Sequence, residues 1–270
     1  FRNTIAGTIT CNAKKCWIAY CKAYTAIFGG SGNKIFIVGS QFDGRGTYGD
    51  VIDFAGTSNS CILVNSEIIG ANYGGQGGPG ANVYPGRGCV RVQSNNAAAI
   101  INNYMQAQVV DTYLPYYLGG GNLGYAVKVD AAGNPSNVSN NIFNGHYNVI
   151  QMPFGCKLEN NFFYAFGGQS TIGGVVSENS HFGDPLFVTG QAPLLQLSSP
   201  CVNAGLNDPV FNDLDGSRNN IGPRGGCLFD PDGWTTNNPV VISFDLVPQQ
   251  LLKGVDTEVT LSNGQAIGQP

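Results

Sequence analysis

One short pattern of apolar and polar positions recurs along the chain. It runs apolar residue, variable residue, two Asn or small polar residues, variable residue, apolar or aromatic residue. It reads Ile37-Val38-Gly39-Ser40-Gln41-Phe42, then Leu63-Val64-Asn65-Ser66-Glu67-Ile68, then Ile100-Ile101-Asn102-Asn103-Tyr104-Met105. It returns as Val138-Ser139-Asn140-Asn141-Ile142-Phe143 and Leu158-Glu159-Asn160-Asn161-Phe162-Phe163, with a weaker copy at Ile9-Thr10-Cys11-Asn12. The copies begin at 9, 37, 63, 100, 138 and 158, at intervals of 28, 26, 37, 38 and 20 residues. A β-sandwich has turn signals but no reason to repeat one hexamer. A solenoid has one, because each coil stacks the same positions on the last, and longer intervals are coils carrying loops. The apolar ends of the hexamer then face inward and the polar pair marks a bend. Asn tolerates the left-handed backbone a bend requires, and its amide can bond to the Asn one coil away, as in stacked β-structures.

Strand-like runs lie between the bends at 34–38, 61–64, 90–93, 125–129 and 149–152, rich in Val, Ile and Tyr and bounded by Gly, Asn and Pro. Helical periodicity is missing, apart from 95–101, whose alanines could form a turn. The chain therefore reads as all-β. Two insertions interrupt it. Residues 70–88 are too glycine-rich to pack a core, and residues 111–124 carry Tyr113, Tyr116 and Tyr117 ahead of a glycine run. Insertions in solenoids gather on one face, often the binding face.

Composition narrows the class. Of 270 residues only 11% are charged, 42% are hydrophobic and 39 are Gly, with a formal net charge of −4. A disordered chain shows the reverse balance. Scattered Lys and Arg give no basic patch for nucleic acid, and no apolar run reaches the length of a membrane span. Eight cysteines in such a chain suggest an oxidising compartment. Cys11, Cys16 and Cys21 lack zinc-site spacing, and His146 and His181 are the two histidines. The opening on Phe1 reads as a processed or excised chain.

From His181 the text changes. Asp184-Pro185-Leu186-Phe187-Val188 is followed by Ser199-Pro200-Cys201-Val202-Asn203-Ala204-Gly205, then by Asp213-Leu214-Asp215-Gly216-Ser217-Arg218 with Asn220-Ile221-Gly222. This order resembles the closing segment of bacterial extracellular β-helix proteins of the pectin-lyase-like superfamily, especially those with a choice-of-anchor Q region. The resemblance covers 35–226, most specifically from 181. It implies a right-handed parallel β-helix, export and surface attachment, but no single activity, since fold alone does not settle function. The expected organisation is coils over 1–190 with insertions at 70–88 and 111–124, a C-terminal cap over 191–232, and a β tail over 233–270. The tail alternates apolar and polar residues but is too short to bury a core alone. It is expected to pack on the solenoid or, by strand donation, on a neighbouring subunit.

Candidate chemistry is sparse. Polygalacturonases of the resembling family use Asn-Thr-Asp, Asp-Asp, Gly-His-Gly and Arg-Ile-Lys motifs; none occurs here, and no two acidic residues are adjacent. A lyase needs a base for the proton α to a uronate carboxylate, with Arg87, Arg91 and Lys128 as candidates. Asp111, Asp130 and Glu159 could supply oxygens to Ca²⁺, the one possible cofactor. Asp213 and Asp215 resemble a calcium loop weakly, and Arg218 could pair with either without metal. Tyr113, Tyr116, Tyr117 and Tyr125 could form a sugar-stacking platform. Cys61 and Cys89 both stand at strand entrances, at disulfide distance if their coils are neighbours. Cys201 and Cys227 flank the cap and would tie it shut.

The first functional reading is a secreted or cell-surface structural or adhesive protein without catalytic activity, self-associating into filaments or sheaths through its tail or coil ends. The second is a polysaccharide lyase or other enzyme acting on an acidic glycan. The third is a glycan-binding module without turnover.

Overall fold

The computed structural model describes the chain except residues 2–3, 46, 48, 71–87, 94, 108–124, 131–134, 146–147, 165–170, 173–176, 192, 232–239, 248–259 and 268–270. The described residues form a parallel β-solenoid with two curled sheets. Sheet A stacks seven strands: β2 (Lys15–Ala19), β4 (Lys34–Val38), β7 (Ser60–Val64), β10 (Ala97–Ile101), β13 (Asn137–Ser139), β16 (Lys157–Glu159) and β19 (Ser177–Glu178). Sheet B begins with β1 (Ile5–Cys11) paired to β3 (Lys22–Phe28) and then divides in two. One stack contains β5 (Gln41–Asp43), β8 (Glu67–Ile69), β11 (Tyr104–Gln106), β14 (Ile142–Asn144), β17 (Phe162–Tyr164) and β20 (His181–Phe182). The other contains β6 (Ile52–Phe54), β9 (Val90–Val92), β12 (Tyr125–Val129), β15 (Asn148–Gln151) and β18 (Thr171–Ile172). The residues between β8 and β9 and between β11 and β12 include the two insertions, so both enter on the same side of successive coils. Insertion residues 71–87 and 108–124 lie outside the described residues.

The hexamer works as its pattern implies. Ile37 and Phe42, Leu63 and Ile68, Ile100 and Met105, Val138 and Phe143, Leu158 and Phe163 all enter one core. Between them the chain bends sharply, with positive φ at Gly39, Asn65, Asn102, Asn140 and Asn160. Gly39 replaces Asn because a Cβ there would strike the Tyr20 ring at 2.3 Å.

The two residues of each Asn pair have different jobs. The second forms a buried ladder: Asn103 Nδ2 donates to Asn141 Oδ1 (3.0 Å) and Asn141 Nδ2 to Asn161 Oδ1 (3.0 Å). The same oxygens accept the neighbouring coil's backbone N–H, at 2.9 Å from Asn103 and 3.0 Å from Asn141. A further ladder, not anticipated from the sequence, sits at the corner entering sheet A. There Asn33 N donates to Asn59 Oδ1 (2.8 Å) and Asn59 N to Asn96 Oδ1 (2.9 Å). Its signal was an Asn immediately before three successive sheet A strands, at 33, 59 and 96.

The first Asn of each pair holds the closing segment. Residues 183–231 run back along the outside of the bends. Asn160 Nδ2 donates to Ala204 O (3.2 Å), Asn140 Oδ1 accepts from Leu206 N (2.9 Å), and Asn102 Nδ2 donates to Asn220 O (2.8 Å). Asn65 Nδ2 then reaches Pro223 O (3.0 Å) and Gly225 O (2.6 Å). Phe229, Asp230 and Pro231 finally meet Tyr20, Gly39 and Ser40 around a cavity of about 140 Å³. Beneath this strap, Tyr104, Ile142, Phe162, Cys201 and Ile221 form an apolar cluster on the outer side of the β5–β20 stack. The expected cap is therefore a lateral strap along the coils.

Three other expectations are corrected. Residues 97–101 form strand β10, because its register against Ser60–Val64 and its buried Ala98 and Ile100 override alanine's weak strand preference. The Cys61–Cys89 bridge does not form: Cys61 lies in sheet A beside Ile35 and Ala98, whereas Cys89 precedes β9 of sheet B. Cys201 is a buried thiol within the strap cluster, and Cys227 is exposed, its Sγ donating to Val210 O at 3.5 Å, so these two are not joined either. All eight cysteines are thiols in this structure. The tail contributes β21 (Val240–Val247) and β22 (Thr260–Ile267), an antiparallel pair with two register irregularities. No described helix is long and apolar enough to cross a membrane.

Candidate functional site

The second stack of sheet B carries one short motif in three successive coils: a charged residue between two apolar ones. Ile52-Asp53-Phe54, Val90-Arg91-Val92 and Val127-Lys128-Val129 bury their flanking residues and turn the central one outward. Strand pairing puts Asp53 beside Arg91 and Arg91 beside Lys128, with Gln151 next. One step along the strands lie Gln93 and Asp130. The chain thus places two cations, two carboxylates and two amides on a small grid.

Diagonal contacts fix the grid. Arg91 Nε donates to Asp130 Oδ2 at 2.7 Å, with Nη2 2.6 Å from the same oxygen. Gln93 Nε2 donates to both Asp53 oxygens at 3.0 Å. Lys128 Nζ lies 3.4 Å from Asp130 Oδ1 and 5.6 Å from the Tyr125 ring centroid. A third carboxylate stands behind Arg91: Asp50 Oδ1 accepts from Tyr125 Oη (2.7 Å) and Gly88 N (2.8 Å), while Oδ2 is 3.9 Å from Arg91 Nη1. The Asp50 side chain is 7% exposed, against 35% for Arg91 and 25% for Lys128. Asp50 is thus support, and the two cations form the accessible surface.

Burial raises the carboxyl of Asp50 above its usual value, against the opposing pull of the Tyr125 and Gly88 hydrogen bonds and Arg91. Burial likewise raises Asp53, opposed by the Gln93 bond and the Arg91 charge. Burial works against the charge on Arg91, but the Asp130 hydrogen bond and charge outweigh it and hold the guanidinium protonated. That is the opposite of what a proton-accepting Arg91 needs, so Arg91 serves as a fixed donor. The Tyr125 phenol is pushed up by burial and then by Asp50.

Of the residues singled out from sequence, Arg91, Lys128, Asp130 and Tyr125 come together here. Tyr125 is 4% exposed and offers no face for stacking a sugar; its role is to hold Asp50. Arg87, Asp111, Tyr113, Tyr116 and Tyr117 lie outside the described residues. Glu159 belongs to sheet A and pairs with Lys157 at 2.5 Å, away from this face. Asp213 Oδ1 accepts from Gly226 N (2.5 Å) and Asn220 N (3.2 Å), and Asp215 Oδ1 from Ser217 N (2.9 Å). That loop is a hydrogen-bonded turn, and Arg218 donates to Gly205 O at 2.8 Å rather than to either Asp. Among the described residues no group of three or more His, Cys, Asp or Glu side chains is placed to hold a metal. Asp50, Asp53 and Gln93 were missed, although the apolar–charged–apolar triplet at 52–54 carried the signal.

Protein-family models, curated proteins and solved structures give no match to this chain.

Proposed function

We propose that this is a secreted or cell-surface adhesive β-solenoid that binds a polysaccharide along the outer face of the β6–β18 stack. In this reading the coils are a right-handed parallel β-helix of the pectin-lyase-like kind, and the strap is a choice-of-anchor Q-like closing segment. One observation carries the proposal. In a chain with only 11% charged residues, Asp50, Asp53, Arg91, Lys128 and Asp130 converge on three adjacent coils. Their hydrogen bonds leave fixed acceptors and donors aimed outward, as a hydroxyl-rich ligand requires. The rungs repeat every ~4.8 Å, on the scale of one sugar unit in an extended glycan, so neighbouring sugars would meet neighbouring rungs. With Asp53 and Asp130 set against Arg91 and Lys128 the charges of the face balance, which favours an uncharged glycan at neutral pH.

The test is affinity electrophoresis through gels containing neutral or acidic polysaccharides. Wild-type protein is expected to be retarded by a neutral polymer, and Arg91→Ala to run freely with an unchanged circular dichroism spectrum. Free migration of the folded wild type in every gel sinks the proposal. The same polymers are assayed for new reducing ends and unsaturated products, and none is expected. Unsaturated products lost in Lys128→Ala would establish the lyase reading instead, with Lys128 as its base.

A further inference from the structure

The corner where the chain passes from sheet B to sheet A is filled by two inward side chains in each early coil. In the second coil these are Phe28 and Ile35, in the third Phe54 and Cys61, in the fourth Val92 and Ala98. In the first coil they are Cys11 and Cys16, in register with Phe28 and Ile35. Cys16 is 4% exposed within the core, and the partly exposed Cys11 packs against that core. The two side chains thus fill the same corner of the first coil, packed against one core. Other thiols have different surroundings: Cys21 Sγ donates to Ala19 O (3.4 Å), Cys89 Sγ lies 3.8 Å from Ile68 O, and Cys156 Sγ accepts from Ser136 N (3.5 Å).

We propose that Cys11 and Cys16 are a redox pair that closes into an intrachain disulfide on meeting a small disulfide oxidant such as oxidised glutathione, locking the first coil. Burial and the neighbouring thiol push the Cys16 pKa up, making it a poor first nucleophile. Cys11 is the more accessible and opens the exchange. Its thiolate attacks one sulfur of the oxidant, forming a mixed disulfide and releasing one glutathione thiolate. Cys16, deprotonated in turn, attacks the Cys11 sulfur and releases the second. One S–S bond is made and one broken, two electrons pass to the oxidant, and the two thiol protons end on two glutathione molecules. β1 pairs with β3 alone among the described strands, so its amides are those the crosslink most restrains.

The test uses the whole chain, purified reduced, incubated with oxidised glutathione and alkylated in guanidinium chloride without reductant, so that buried thiols are also labelled. Trypsin cuts after Lys14 and Lys15 and separates Cys11 from Cys16, and fragmentation of the 16–22 peptide tells Cys16 from Cys21. A linked pair of peptides containing Cys11 and Cys16, unalkylated and parted by reductant, is expected. In the oxidised protein, amide exchange over residues 9–11 slows. In Cys11→Ser, Cys16 is expected to be fully alkylated; Cys11→Ala replaces that variant if the hydroxyl prevents folding. Alkylation of both cysteines in oxidised wild type, or linkage of Cys16 to another cysteine, overturns the proposal.

Discussion

Asn141 shows how much one polar side chain carries in this fold. Its Oδ1 accepts from Asn103 N (2.9 Å), and its Nδ2 donates to Ile100 O (2.8 Å) and Ser139 O (2.9 Å), all out of contact with water. Asn141→Ala would strand the buried Asn103 N–H and take the side-chain donor from Ile100 O in the neighbouring coil, whereas Ser139 O keeps the Asn102 N–H. Each orphaned group costs about 1–3 kcal/mol, so a loss of about 3 kcal/mol is expected from urea denaturation followed by circular dichroism. At the same scale, Asp53 gives the charged face a pH dependence. Burial raises its folded-state carboxyl above the unfolded value. Folded protein therefore holds this proton where unfolded protein has lost it, and stability rises as the pH falls through the raised value toward the ordinary carboxylate range. Asp53→Asn, which has no charge to bury, is expected to melt above wild type at neutral pH, with the gap closing on acidification. A gap that stays constant with pH would show that the carboxylate's environment does not disfavour its charge. The hexamer revealed these bends because inward apolar residues and bend residues obey local rules. It could not reveal the grid, since Asp53, Arg91 and Lys128 are separated by whole coils and meet only through register.

At the scale of elements, local pattern and long-range packing part company. Strands β4 and β12 were legible to the residue, since a run rich in β-branched and aromatic residues needs no partner to declare itself. Strand β10 was not, because three alanines have no strand preference of their own and take their conformation from β7 and β13. The direction of the closing segment was equally hidden. Its motifs marked an ending, but nothing local says that Asn65, Asn102, Asn140 and Asn160 would each reserve a side chain for it. The strap is held by those bonds and by the cluster around Ile221, which is fully buried against Tyr104, Ile142, Phe162 and Cys201. Ile221→Ala removes apolar volume at a site typically worth about 2–5 kcal/mol for such truncations. Hydrogen exchange is expected to quicken at the amides of Gly205, Ile221 and Gly222, which bond within the strap or to Asn140, while the core amides of β4 and β7 keep their protection. Equal loss of protection in the coils would mean that strap and solenoid unfold as one unit.

For the whole molecule the question is what the tail does. A solenoid's stability is close to a sum over coils and the contacts between neighbours, and here the strap adds ties from the Asn160 bend back to Tyr20. Pro231 therefore ends beside the first two coils. The nine steps from there to Val240 span at most about 30 Å. Two strands that, among the described residues, pair only with each other are marginal on their own in water. They must bury a face on something, and we expect it to be a second copy of the chain. Deleting residues 233–270 should then reduce the mass seen by light scattering to that of one chain, without lowering the melting temperature of the monomer or its retardation by polysaccharide. A mass that is unchanged by the deletion, together with a lower melting temperature, would place the tail on its own solenoid. The adhesive reading survives that outcome, because its binding face lies on the β6–β18 stack and uses none of these residues; the filament version does not, because it needs the tail to join one molecule to the next.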